Sequence, residues 1–147
     1  MVDIDIKADD GRVQIHILGY ERDEGSDESD NNWLSSFVEI DIPPFKGGFT
    51  AAFQIDELVR LTGNLESLYD DIGGVCVFTP VEGALSLKFA MKVRGNLVIS
   101  GEAKPSPFSS EPALRFVLHS DQTVLKSVIG GLKAIARQYP FRSVSAT

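Results

Sequence analysis

Between Leu114 and Pro140 the hydrophobic period of the chain changes, and the change falls on Ser120 and Asp121. Before them Leu114, Phe116 and Leu118 recur at every second position; after them Leu125, Val128, Ile129, Leu132, Ile135, Ala136 and Tyr139 recur at three and four. A period of two marks a strand with one buried face, and a period near 3.6 marks an amphipathic helix, so a strand here runs directly into a helix. Asp121 stands where a carboxylate meets the free amides and the positive dipole end of the first turn, and Pro140 marks the exit. The side of this helix away from its leucines carries Ser127, Gly130, Gly131 and Ala134 rather than the Glu, Lys and Gln of a solvent face. Two interior glycines cost roughly 1 kcal/mol each relative to Ala. The helix is therefore expected to be buried on two sides, with Gly130→Leu destabilising.

The same alternation recurs upstream. Val2, Ile4 and Ile6 alternate with Asp3, Asp5 and Lys7; after a turn at Asp9-Asp10-Gly11, Val13, Ile15 and Ile17 alternate with Arg12, Gln14 and His16, which makes a hairpin. A third strand carries Val38, Ile40 and Ile42 and is stopped by Pro43-Pro44; Gly47 and Gly48 are expected to make the next bend, and Phe49, Ala51 and Phe53 give a fourth strand. A helix from about Asp56 presents Leu58, Leu61, Leu65, Leu68 and Ile72, with Gly63-Asn64 weakening its middle and Gly73-Gly74 ending it. Four more strands follow, around Val75–Thr79, Leu85–Val93, Leu97–Gly101 and Leu114–His119. The second of them places Leu85, Leu87, Phe89, Met91 and Val93 on one face. Strands that alternate in this way belong to an antiparallel sheet wet on one side, since parallel strands read as continuous apolar runs. The expected fold is α+β: a strongly curved, mainly antiparallel sheet of about eight strands, as a half barrel or a split pair of sheets. The order is four strands, a helix, four strands and a helix, with both helices in the concavity. At 147 residues this is one domain, spanning 1–140, with a frayed tail from 141 to 147.

Charge is distributed unevenly. The net charge is -7, and between Glu21 and Asp30 six carboxylates face Arg22 alone, a local net charge of -5. With the 14 Lys and Arg residues scattered, nothing provides the basic cluster that phosphate binding requires, so no nucleic-acid partner is expected. Cys76 is the single cysteine, which excludes an intramolecular disulfide and a thiolate cluster; its strand parity, opposite Val75 and Val77, makes it a packed, inert thiol. The chain opens on a charged strand without a signal-peptide pattern, and no apolar run reaches the ~18 residues of a membrane span, so a cytoplasmic protein is expected.

Catalytic and ligand motifs are not found. His16 falls on the polar face of its strand and reads as a solvated surface residue. His119 beside Ser120 and Asp121 mimics a relay, but adjacent residues on extended backbone point apart and the junction wants Ser and Asp for capping. There is no phosphate-binding glycine loop and no nucleophile elbow, and the acidic stretch lacks calcium-loop spacing. No enzyme, cofactor or metal is expected.

Several segments together resemble the WapI-like immunity family: the loop ending in Asn32-Trp33-Leu34, the stretch FVEIDIPPFKGGFTAAF, Asp56-Glu57-Leu58 entering a helix, Glu82 before an alternating strand, and Ser120-Asp121-Gln122-Thr123 opening a helix that ends in Tyr139-Pro140. The similarity runs from about Arg12 to Pro140. The long acidic loop and Val124-Leu125 depart from the family pattern. The resemblance implies a small bacterial cytoplasmic protein that neutralises the C-terminal domain of a polymorphic toxin by binding it, and it carries over no binding residue. An acidic loop facing a basic cleft on such a toxin speeds association, so Asp23, Glu24, Asp27, Glu28 and Asp30 are the expected partner-facing residues, with the polar side of the sheet as the other face available. The alternative from a different class is a domain with a small-molecule or enzymatic role in the concavity of its sheet.

Overall fold

The structure is a computed structural model that describes residues 2–22, 31–106 and 112–143. Among the described residues eight antiparallel strands and two long helices follow one another as β1 (Val2–Lys7), β2 (Arg12–Tyr20), β3 (Trp33–Ile42), β4 (Phe45–Gln54), α1 (Ile55–Asp71), β5 (Gly74–Phe78), β6 (Leu85–Met91), β7 (Asn96–Ala103), β8 (Leu114–Asp121) and α2 (Gln122–Gln138). The strands divide into two four-stranded sheets, ordered β1-β2-β3-β4 and β5-β6-β7-β8, each a meander of sequence neighbours. This is the split-pair form of the expected α+β architecture.

Alternation sets the faces. In the first sheet Ile4, Ile6, Val13, Ile15, Ile17, Leu34, Val38, Ile40 and Phe53 turn inward, and in the second Cys76, Phe78, Leu87, Phe89, Leu97, Ile99, Phe116 and Leu118 do the same. The leucines of α1 and Val124, Leu125, Val128, Leu132 and Ile135 of α2 join them in one continuous core. The rings of Phe53 and Phe78, 5.8 Å apart, connect β4 to β5 within it.

Four local readings are corrected. The β3–β4 bend lies at Pro43-Pro44 alone, across a cis peptide, so Gly47 and Gly48 are interior residues of β4, paired with Ile40 and Glu39. Helix α1 runs unbroken through Gly63-Asn64 and ends one residue before its glycines: Ile72 takes the left-handed conformation (φ 48°) and is exposed rather than buried. Strand β6 stops at Met91 because a 3-10 turn over Val93–Gly95, with Arg94 at φ 61°, reverses the chain, which leaves Val93 83% exposed. On α2 the face with Gly130 is open. Ser127, Gly130 and Ala136 are exposed and a Cβ added at Gly130 meets nothing within 4 Å, whereas one added at Gly131 lies 2.5 Å from the carbonyl oxygen of Asp3 in β1. Gly131 belongs to the Val124–Val128–Ile135 row and admits the edge of the first sheet, so close packing exists one residue further along than the helix pattern suggests.

Candidate partner-binding surfaces

The residues that could carry chemistry are engaged by different partners. His16, on the outer face of β2, lies opposite Asp3 of β1, with Nδ1 2.9 Å from Asp3 Oδ1 and Nε2 3.1 Å from Glu39 Oε2 of β3. Only 16% of its side chain is exposed, which corrects the reading of a solvated histidine. The hydrogen bond to Asp3 raises the pKa of His16, burial works against it, and Glu39 adds to it, because two carboxylates facing one ring favour imidazolium. His119 turns instead to the first hairpin. Asp10 accepts its backbone N–H at 2.8 Å and lies 2.8 Å from its Nδ1, contacts that hold the Asp10 carboxyl below its ordinary pKa, the side-chain bond most of all. Asp121 caps α2 by accepting the hydroxyl and the N–H of Thr123, and both bonds lower its pKa. His119 and Asp121 thus point to separate partners, as neighbours on extended backbone should. Cys76 is 3% exposed, and burial raises the pKa of its thiol.

Among the described residues no group of three or more His, Cys, Asp or Glu could hold a metal ion, and no buried side-chain nitrogen or oxygen lacks a hydrogen-bond partner. The larger features lie on the surface. The outer face of the first sheet is a cross-strand ionic lattice, in which Asp5 takes both Nε and Nη2 of Arg12 at 2.8 and 2.7 Å beside the Asp3–His16–Glu39 row. The outer face of the second sheet is different. Val75, Val77 and Val117 are each more than half exposed, and a shallow hollow of about 480 Å³ lies between Val77, Lys88 and Val117, with Arg115 bound to Glu102 at 2.7 Å on its rim. Val77 and Val117 stand on the two edge strands of this face with Lys88 and Ser100 between them, so the face mixes exposed apolar and polar groups.

Asp23, Glu24, Asp27, Glu28 and Asp30 lie outside the described residues, but the ends of their segment are in place. Asn32, 3% exposed, donates through its amide to the carbonyl of Arg142 and accepts the Arg142 N–H, at 2.8 and 2.7 Å. The Arg142 guanidinium sits 3.7 Å from the centroid of Tyr20 and donates to the carbonyls of Asn31 and Arg22, so it joins the two sides of the acidic segment. The Tyr20 hydroxyl donates to the carbonyl of Pro140, and its ring meets Tyr139 edge-on at 5.4 Å. Arg142 falls within the stretch expected to fray, and residues 144–147 lie outside the described residues. Sequence reasoning missed this clamp. Its halves are 110 residues apart, and the only local signal is an asparagine pair before Trp33.

The WapI-like immunity protein family matches the chain over residues 4–140. The chain belongs to that family. Comparison with curated proteins returns no match. The segments that carried the resemblance are the joints of the fold. Asn32 binds Arg142; Glu57 accepts the Gln54 N–H at 2.9 Å at the start of α1 and the Val81 N–H at 2.7 Å; Glu82 accepts the Ala52 N–H at 3.0 Å; and Asp121 caps α2. The residues that carried the resemblance therefore build the scaffold of the fold. Among the described residues no helix is long and apolar enough to cross a membrane.

Proposed function

We propose that this chain is a non-enzymatic, cytoplasmic immunity protein that neutralises its cognate toxin domain by binding it directly and covering its functional surface. The observation that carries this reading is the family match across residues 4–140, which leaves outside it only the first three and last seven residues of the chain. His119 and Asp121 are engaged by separate partners and do not form a relay. An inhibitor needs a complementary surface, and two outer sheet faces and an acidic segment are available for one. The concentration of charge between Glu21 and Asp30 supports a basic toxin surface as the partner of Asp23, Glu24, Asp27, Glu28 and Asp30.

The test is to find the gene directly upstream of the one encoding this chain and co-express the C-terminal toxin domain it encodes. Growth should be rescued by this chain, and the two purified proteins should form a stable complex. Toxicity that persists at full expression of the chain, with no complex, refutes the reading.

A further inference from the structure

The four sheet edges are treated differently. Strand β1 lies against α2, where Gly131 meets Asp3, and β5 packs on α1. Strand β8 is held at its His119 end, whose carbonyl accepts the Asp9 N–H and whose own N–H donates to Asp10, while the alternate residues Val117 and Arg115 have no such backbone partner among the described residues. The fourth edge, β4, is sealed over only part of its length. Side chains close its end near α1: Glu57 takes the Gln54 N–H and Glu82 the Ala52 N–H. The β3–β4 register is unbroken from Trp33↔Gln54 to Ile42↔Phe45, so the backbone groups of every second residue before Ala52 point outward in the same way. These residues are Thr50, Gly48 and Lys46. All three are exposed, and among the described residues their outward N–H and C=O groups have no hydrogen-bond partner.

The open stretch has hollows on both faces. On the inner side about 390 Å³ lies between Phe45, Gly47 and Phe49 of β4, Pro105 and Pro112 of the connection between β7 and β8, and Leu114 of β8, while on the outer side about 310 Å³ is lined by Arg12, Glu39, Asp41 and Lys46. Gly47 between them is unexplained by its own surroundings. Its φ is not positive, and an added Cβ would meet nothing within 4 Å. A strand glycine gives up packing and backbone entropy, and one common reason for it is the close approach of another backbone.

We propose that the edge of β4 from Lys46 to Thr50 receives an extended segment of the toxin partner as a fifth strand of the first sheet. The proposal rests on the immunity reading and names the surface through which it acts. Outward N–H and C=O groups supply the main-chain bonds, and alternate side chains of the incoming strand enter the two hollows, apolar on the Phe45–Phe49 side and polar on the Glu39–Asp41 side. A second copy of this chain is disfavoured as the occupant because each copy carries a net charge of -7.

The upstream-encoded toxin domain, made inactive by mutation, serves as the probe against the full chain. Amide exchange at Lys46, Gly48 and Thr50 should slow in the complex. Thr50→Pro removes an outward N–H that the β3 ladder does not use, and Gly47→Lys fills the inner hollow where nothing lies within 4 Å. Each should weaken binding by about tenfold or more without shifting the unfolding midpoint, while Val59→Lys on the exposed side of α1 should bind as wild type. If Thr50→Pro does not fold, Gly47→Lys and the exchange pattern decide the matter. Wild-type binding by Gly47→Lys with unprotected amides overturns the strand-addition site and leaves the immunity reading standing. Failure of the wild-type chain itself to bind or protect removes both. A dimer of the free chain that Gly47→Lys dissociates assigns the edge to a second copy and overturns the toxin as its occupant.

Discussion

Gly130 and Gly131 are chemically identical neighbours with opposite roles. An alanine at Gly131 would place its Cβ 2.5 Å from the Asp3 carbonyl oxygen, a backbone atom that cannot swing aside, so Gly131→Ala should destabilise by about 1–3 kcal/mol despite its gain in helix propensity. Gly130→Ala meets nothing within 4 Å and should stabilise by roughly 1 kcal/mol. Denaturant unfolding of the two variants checks both signs, and the same sign at both positions would contradict this packing. His16 makes a prediction in pH. Its pKa is raised above the ordinary 6.5 by Asp3 first, with Glu39 adding to it, so the folded state binds its proton more tightly than the unfolded chain. The added stability is fully present below about pH 6.5 and is lost as pH rises through the higher folded value. His16→Gln should therefore be most destabilised relative to wild type on the acid side of that window, above the carboxylate range, and approach it at higher pH. A difference that stays constant with pH would show that the Asp3–His16–Glu39 row is neutral.

At the scale of elements, the C-terminal segment closes the fold. Arg142 makes a cation–π contact with Tyr20 and hydrogen bonds to Asn31, Asn32 and Arg22, and so fastens the chain beyond α2 to the end of β2 and the start of β3. Arg142→Ala removes the stacked guanidinium and its charge-assisted bonds while the backbone pairing with Asn32 remains, for an expected loss of about 2 kcal/mol. Thermal unfolding measures this, and amide exchange at Asn32 and Trp33 should quicken in the variant. An unchanged midpoint would mean that the Asn32 pairing alone suffices. A helix terminus, a strand end and a loop root share this one side chain.

For the whole molecule, the prediction concerns its field. Charge is concentrated in the segment whose ends Arg142 ties together, and steering by such a segment acts on the association rate and is screened by salt. Replacing Asp23, Glu24, Asp27, Glu28 and Asp30 by Asn and Gln should leave unfolding unchanged and slow association with the toxin domain. The wild-type on-rate should fall as the Debye length shortens from about 10 Å at 0.1 M salt. An unchanged on-rate in the neutralised variant would place recognition on the sheet faces and the β4 edge instead.

Element type and order were legible in the amino-acid sequence because alternation and the three-and-four period are properties of neighbouring residues. The strand-to-helix switch at Ser120-Asp121, the one-faced strands and the family pattern could all be read without a partner in view. What the pattern could not carry was the identity of the surface that each face would meet. Alternation in β2 places His16 outward but cannot show that Asp3 and Glu39 flank it, and the small residues of α2 cannot show which glycine faces Asp3. The asparagine pair at Asn31-Asn32 cannot show that its partner is Arg142, 110 residues from Asn32. The division into two sheets, the Arg142 clamp and the open edge at Gly47-Gly48 were decided by tertiary structure, because pairing between distant segments is settled by mutual geometry and competition for hydrogen bonds, neither of which a local period records.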